Sequence, residues 1–214
     1  MWNETRDSVI DTIDATGYER TSALRLESPL SGARDVLDGL IASAAFQFTE
    51  RAFLDLVNLR GDGSDPAFVD AVEQVTGTRV PTQPNTVSSG LNCSLVWLGP
   101  DEWFVRSSLP QAPVFETKLA QALNGQFASV VDVGSGYTVF EIRGTRVREV
   151  LARGCPLDLH PRRFKEGQCA QSLFFKAAVV LMPTRPDAFD VIVRRSFADY
   201  VCRMMLDAAA PLAP

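Results

Sequence analysis

A chain of 214 residues with 46% hydrophobic and 22% charged residues can bury a substantial core without disulfide or metal staples, as one large domain or two small ones sharing an interface. Its formal charge is −5, and the basic pairs Arg162-Arg163 and Arg194-Arg195 form no continuous positive stripe, which argues against nucleic acid as a partner. The longest apolar run, Leu173–Met182, is interrupted by Lys176 and falls well short of the ~18 residues that cross a bilayer, so no membrane span is expected. Met1–Arg20 is polar and acidic, without the basic start and apolar stretch of a secretion signal, so a cytoplasmic location is expected.

Residues 1–50 read as an acidic N-terminal arm suited to ordering against a partner. Val36, Leu37, Leu40 and Ile41 stand at helical spacing, weakened by Gly39. Ala52–Leu59 alternates loosely and ends in Arg60-Gly-Asp-Gly63, the pattern of a strand closed by a turn. A helix follows, with Asp65 as its cap, Pro66 at its first position, a stripe of Phe68, Val69, Val72 and Val75, and Gly77 as its stop. Pro81–Gly90, rich in Pro, Ser, Thr and Asn, predicts an exposed connection.

Beyond it the chain repeats a hairpin followed by a helix. The first hairpin is Ser94–Leu98 with Glu102–Ser107, and its helix spans Pro113–Asn124. The second is Ala128–Val133 with Thr138–Arg143, joined by Gly134-Ser-Gly136, and its helix spans Thr145–Arg153. Strands are expected near Cys169–Ala177, Val179–Met182 and Phe189–Arg194. A final helix opens on Ser196-Phe-Ala-Asp199, a capping-box pattern. These elements predict an α+β fold of hairpin-plus-helix units, with mainly antiparallel sheets covered by helices. The implied division is an arm at 1–50, a domain at 51–206 with sub-lobes 51–125 and 126–206, and a tail at 207–214.

The inventory of conventional catalytic devices is thin. Cys93, Cys155, Cys169 and Cys202 include no C-x-x-C pair and read as buried reduced thiols. His160 is the single histidine, with Asp158 only two residues away, and reads as a loop residue bonded to backbone near Pro161. Gly134-Ser-Gly136 reads as a hairpin turn rather than a phosphate cradle, because a strand and not a helix follows it. Asp101-Glu102 is turn chemistry, and Trp97 and Trp103 read as core at the two ends of the first hairpin. No catalytic, cofactor-binding or metal residues are expected in this chain.

Several stretches resemble the gamma subunit of heterotetrameric sarcosine oxidase: Leu98-Gly-Pro-Asp-Glu-Trp-Phe-Val105, Val130-Val-Asp-Val-Gly-Ser-Gly-Tyr-Thr138, Leu151-Ala-Arg-Gly-Cys-Pro-Leu-Asp-Leu-His-Pro161, Gly167-Gln-Cys-Ala-Gln171 and Val193-Arg-Arg-Ser-Phe-Ala-Asp-Tyr200. The resemblance covers about residues 91 to 206. It implies a non-catalytic subunit of a flavoenzyme complex that demethylates sarcosine to glycine, yielding hydrogen peroxide and a one-carbon unit for tetrahydrofolate. FAD, FMN, NAD and zinc are then expected on partner subunits, with the alpha subunit as direct neighbour and beta and delta in the same complex. Trp103, Asp158, His160 and Arg194 are the residues singled out as family-motif or interface positions. The resemblance also implies kinship with the folate-binding fold of aminomethyltransferases, the glycine-cleavage T-protein group. A stand-alone folate-binding protein of one-carbon or iron–sulfur metabolism, a gamma-type subunit of an N-methyl amino acid dehydrogenase, and a self-associating binding module remain alternatives.

Overall fold

Two strands that follow one another along the chain, β1 (Gln47–Arg51) and β2 (Leu54–Arg60), lie in different sheets. Between them Phe53 adopts φ 62°, a left-handed conformation that turns the backbone out of the strand line. The structure, a computed structural model, describes residues 27–32, 43–110 and 114–212. The helical spacing noted at 36–41 lies outside the described residues. The described part of the arm is not separate from the domain. Leu30 is fully buried, and β1 pairs antiparallel with β7 (Tyr137–Arg143), Gln47 opposite Arg143 and Arg51 opposite Val139. The expected boundary at residue 50 therefore falls inside a strand, and that at 206 falls inside a helix, α4 (Ala198–Ala209).

Local sequence chemistry explains most elements. Helix α1 (Pro66–Thr76) begins where the Asp65 carboxylate accepts the Ala67 N–H at 2.9 Å, and it ends at Gly77, whose φ of 72° lets its N–H reach Glu73 O. Helix α2 (Phe115–Ala122) buries Phe115 and Leu119, as its spacing predicts. Helix α3 (Val147–Ala152) is shorter than the expected 145–153 and buries Val147, Val150 and Leu151. The capping box at Ser196 does not form. A 3-10 turn at Arg195–Phe197 precedes α4 and supplies Arg195 O to the Ala198 N–H. Asp199 instead accepts two hydrogen bonds from Arg203 Nε at 3.0 Å.

The remaining strands are β3 (Val87–Ser89), β4 (Cys93–Gly99), β5 (Glu102–Pro110), β6 (Ser129–Asp132), β8 (Ala170–Phe174), β9 (Ala177–Arg185) and β10 (Ala188–Arg194). They build two antiparallel sheets, ordered β3-β4-β5-β2-β6 and β8-β9-β10-β7-β1. Each position in one sheet has a counterpart in the other, so the chain is a tandem repeat of two strands, a helix, three strands and a helix. The leading strand of each repeat, β1 or β6, completes the sheet of the other repeat.

That exchange corrects two expectations. Ala128–Val133 and Thr138–Arg143 are not a hairpin, because β6 pairs with β2, Leu59 opposite Val130, while β7 lies between β1 and β10. Gly134–Gly136 forms a 3-10 turn that carries the chain from one sheet to the other. Val130 packs in the layer under α1 and α2, whereas Phe140 and Ile142 pack under α3 and α4. Burying both sets therefore requires different sheets. The 81–90 connection is also more ordered than its composition suggests, since it contains β3, and Pro81 O accepts from Trp103 Nε1 at 2.8 Å.

The period of two along the strands divides the core into three layers. Outward residues Val57, Leu59, Leu95, Trp103 and Val105 meet α1 and α2, and Phe140, Leu181, Phe189 and Val191 meet α3 and α4. Inward residues Leu54, Leu56, Val96, Phe104, Val139, Val180, Met182 and Ile192 form the seam between the sheets. The order is helix, sheet, sheet, helix. Gly144 closes β7 against the chain approaching β1. Its φ is 136°, and a Cβ there would stand 2.4 Å from Ala45 O. Gly144→Ala is expected to destabilise the protein by at least about 1 kcal/mol, read from the thermal midpoint of the purified variant.

Candidate functional site

The loop after α3 carries the most specific stretch of the sequence, and its geometry is that of a packed buttress. Cys155, Leu159 and Phe164 point into the core below α3 and α4. Arg148 reaches from α3 beneath the loop: its Nη1 donates to Phe164 O at 3.1 Å and to Leu159 O, and its Nε donates to Pro186 O at 3.1 Å. The guanidinium carbon lies 4.8 Å from the centre of the Phe189 ring. Burial pulls its pKa below the ordinary arginine value. Three carbonyls on one guanidinium tie the loop to both α3 and the β9–β10 turn.

The two polar residues singled out here are turn-formers. Asp158 Oδ1 accepts the His160 backbone N–H at 3.0 Å, and His160 Nδ1 accepts the Arg162 N–H at 3.2 Å. The carboxylate thus grips backbone rather than the imidazole, so the orienting contact of an Asp–His catalytic pair is not made. Both residues are exposed. Trp103 is fully buried, its ring centre 5.8 Å from that of Phe68. It is a core residue and offers no surface to a partner. Trp97, across the hairpin, is half-buried.

Arg194 stands apart from these three. It ends β10 exposed, with its guanidinium carbon 5.4 Å from the centre of the Tyr137 ring. It lines the mouth of a cleft of about 260 Å³ between the sheets, together with Asn58, Glu102, Phe104, Tyr137 and Gln171. Glu102 accepts from Asn58 Nδ2 at 2.8 Å, and Gln171 Nε2 crosses to Leu98 O at 2.7 Å. That last bond ties β8 to β4 across the seam.

Sequence reasoning passed over the charged groups inside the fold. Arg106 and Asp190 occupy inward positions of β5 and β10 and meet across the seam, Nη1 to Oδ2 at 2.6 Å, both almost fully buried. Arg51 Nη1 adds its charge at 3.8 Å from Asp190 Oδ2 and 3.9 Å from Glu141 Oε2. Burial pushes the Asp190 carboxyl up, against the pull of Arg106 and Arg51, and pulls Arg106 down despite Asp190. Arg106 Nε and Asp190 Oδ1 are buried without hydrogen-bond partners. The available signal was a charge at a core-facing position of an otherwise apolar strand. Asp55 is a second case: almost fully buried, its Oδ2 accepts the N–H groups of Val114 and Phe115 at 3.1 Å and so caps α2.

All four cysteines are buried. Burial pushes the Cys93, Cys169 and Cys202 thiols up to about 11, which leaves almost no thiolate at neutral pH. In the native protein these three are expected to resist an aromatic disulfide reagent at pH 7 for hours and to react within minutes in urea, a contrast followed by absorbance. Among the described residues no group of three or more His, Cys, Asp or Glu is placed to hold a metal.

Large apolar side chains are exposed at one end of the first sheet. Leu91 and Leu109 are 96% and 70% exposed, and the Ser108 N–H donates to Asn92 O between them. Phe53, 46% exposed, precedes Leu54, which stands opposite Pro110. Among the described residues no helix is long and apolar enough to cross a membrane.

Residues 60–211 match the model of the sarcosine oxidase, gamma subunit family, a span that includes β3 to β10 and all four helices. The chain belongs to this family. It is 28% identical over 92% of its length to the sarcosine oxidase subunit gamma of Corynebacterium sp. (strain P-1), covering 96% of that protein. It is 27% identical to the Arthrobacter sp. counterpart, covering 94% of this chain and 95% of that one. The fold is similar to a chain of heterotetrameric sarcosine oxidase from Corynebacterium sp. U-96, with TM-score 0.81 and 24% identity over 88% of this chain and 97% of that chain. It is also similar to aminomethyltransferase T of the glycine cleavage system from Bartonella henselae, with TM-score 0.56 and 14% identity over 85% of this chain and 50% of that one. For this gamma-family chain the expected α+β class and the kinship with the aminomethyltransferase fold both hold.

Proposed function

We propose that this chain is the gamma subunit of a heteromeric sarcosine oxidase and contributes packing surface rather than catalytic groups. The observation that carries this reading is the family match across residues 60–211. The chemistry of the side chains supports it: the thiols are buried, His160 serves a turn, and the Arg106–Asp190 pair is enclosed between the sheets. In this reading the assembly is cytoplasmic. It oxidises sarcosine to glycine, with oxygen reduced to hydrogen peroxide and the methyl carbon passed on at the formaldehyde level to tetrahydrofolate. FAD, FMN, NAD and zinc reside on the alpha, beta and delta partners, alpha being the direct neighbour.

The exposed end of the first sheet, with Phe53, Leu91 and Leu109, is the surface we assign to that neighbour. Obligate subunit contacts centre on desolvated apolar side chains of this kind. Co-expression with candidate flavin subunits and affinity purification on one of them tests the reading. This chain is expected to be retained in stoichiometric amount, and Leu91→Asp with Leu109→Asp to lower retention at least about tenfold. A flavin complex that is fully active and intact without this chain overturns it. Micromolar binding of tetrahydrofolate to the isolated chain, about −8 kcal/mol, would instead favour a stand-alone folate protein.

A further inference from the structure

Three segments distant in sequence meet at the end of β10. The 3-10 turn Gly134–Gly136 abuts the 3-10 turn Arg195–Phe197, and residues 28–31 close the third side, leaving a depression of about 570 Å³. Its lining residues include Ser31, Ser135, Ser196, Arg194 and Arg195 and, among the described residues, no acidic one. Eight other arginines pair with acidic side chains, Arg51, Arg60, Arg79, Arg106, Arg143, Arg146, Arg163 and Arg203. Arg194 and Arg195 do not, among the described residues, and neither do Arg148, Arg153, Arg162 and Arg185. Arg194 lies against Tyr137, and Arg195 Nη2 donates to Glu27 O at 2.9 Å. The hydroxyls of Ser31, Ser135 and Ser196 make no hydrogen bond among the described residues.

We propose that this depression binds a small phosphomonoester, its phosphate held by Arg194, Arg195 and the three serine hydroxyls. A phosphate monoester carries a charge of about −1.5 to −2 at pH 7 and three strong acceptor oxygens. Two guanidinium forks and three hydroxyls match that demand. A carboxylate offers about four acceptor sites, two of which one fork occupies, so it would leave several of these donors unused.

The turn also leaves its backbone open, since a side chain at Gly136 would meet nothing within 4 Å. Acids nearby include Glu50, whose carboxylate accepts from Ser28 Oγ and from Thr138 Oγ1, Asp132, whose Oδ1 accepts the Gly134 N–H at 2.8 Å, and Glu27, whose backbone carbonyl accepts from Arg195. The depression has room for more than a phosphate group. Because Arg194 also lines the inter-sheet cleft beside Tyr137, the esterified part has an aromatic surface next to it. The 134–136 turn thus takes on a ligand role that its glycine pattern alone did not license, because the arginines come from residues about 60 positions further along the chain.

The test uses the full chain with phenyl phosphate as probe and benzoate as the carboxylate control, by calorimetry at low ionic strength. Phenyl phosphate is expected to bind saturably, and Arg195→Gln and Ser135→Asp each to weaken it at least about tenfold. Benzoate is expected to bind at least about tenfold more weakly than the phosphate ester. Amide shifts of the unmodified chain, mapped by NMR with inorganic phosphate, check the location independently of any variant and should fall at Ser135, Gly136 and Arg195. Absence of saturable phenyl phosphate binding overturns the proposal, as do equal affinity for benzoate, unchanged affinity in both variants, or shifts confined to another surface.

Discussion

Replacing Asp190 with alanine is expected to lower the unfolding free energy by about 3–5 kcal/mol, because it strands the Arg106 charge between two sheets. Arg106 and Asp190 are 5% and 1% exposed. With the carboxylate gone, Arg106 loses its ion pair and keeps the repulsion of Arg51. The loss is a large part of the 5–15 kcal/mol that holds an ordinary domain together. Denaturant unfolding with an unchanged slope measures it. The double variant Arg106→Met/Asp190→Leu is expected to recover most of the loss, since burial opposes the charged form of both partners and apolar replacements of similar volume remove that penalty.

The pH dependence has a definite sign. Burial raises the Asp190 pKa, so between the usual carboxylate range and its raised value the folded chain binds more protons than the unfolded one. Stability from this site therefore falls as pH rises through that window, and Asp190→Asn removes the effect. A cost below about 1 kcal/mol for Asp190→Ala would mean that water reaches the pair.

Trp103→Ala is expected to cost about 3–5 kcal/mol, the range for deleting a fully buried aromatic side chain. The indole fills the space under α1, against Phe68, and its N–H holds Pro81 O at 2.8 Å. Truncation opens a cavity and leaves that carbonyl without its donor, two penalties that add. Trp103→Phe separates them: it keeps most of the apolar contact and loses the hydrogen bond, for an expected cost of about 1–2 kcal/mol. Loosening of the Pro81 strap should then appear as faster amide exchange at Val87 and Trp97, whose N–H groups donate to Gly167 O at 2.9 Å and to Thr86 O at 3.1 Å, with the α3–α4 half unaffected. Uniform acceleration across both sheets would contradict the layered packing.

The elements whose chemistry is local were legible in the sequence. Asp65-Pro66 and Gly77 bracket α1 because a cap, a ring-fixed φ and a left-handed stop act within a few residues of where they stand. The hairpin at Gly99–Glu102 was readable for the same reason. The repeat was visible as well, a hairpin and a helix recurring as β4-β5-α2 and β9-β10-α4, but the hairpin expected at 128–143 was not one, because a strand's sequence does not name the strand beside it. Val130 and Phe140 carry the same alternating pattern, and only the identity of the layer that buries each one separates β6 from β7 into different sheets.

The candidate site divides along the same line. Asp158 and His160 were legible as turn residues, since their hydrogen bonds span two positions. Arg106 and Asp190 were not legible as a pair, being 84 residues apart and joined only by the face-to-face packing of two sheets. The amino-acid sequence by itself determined the class of fold, the family and the position of most helices and hairpins, because propensity, capping and apolar period act over one element. Tertiary structure alone decided which repeat each edge strand completes, which charges are buried together, and that Arg194, Arg195 and the 134–136 turn share one depression. Those outcomes depend on which surfaces are removed from water against one another, and that is settled only when the sheets pack.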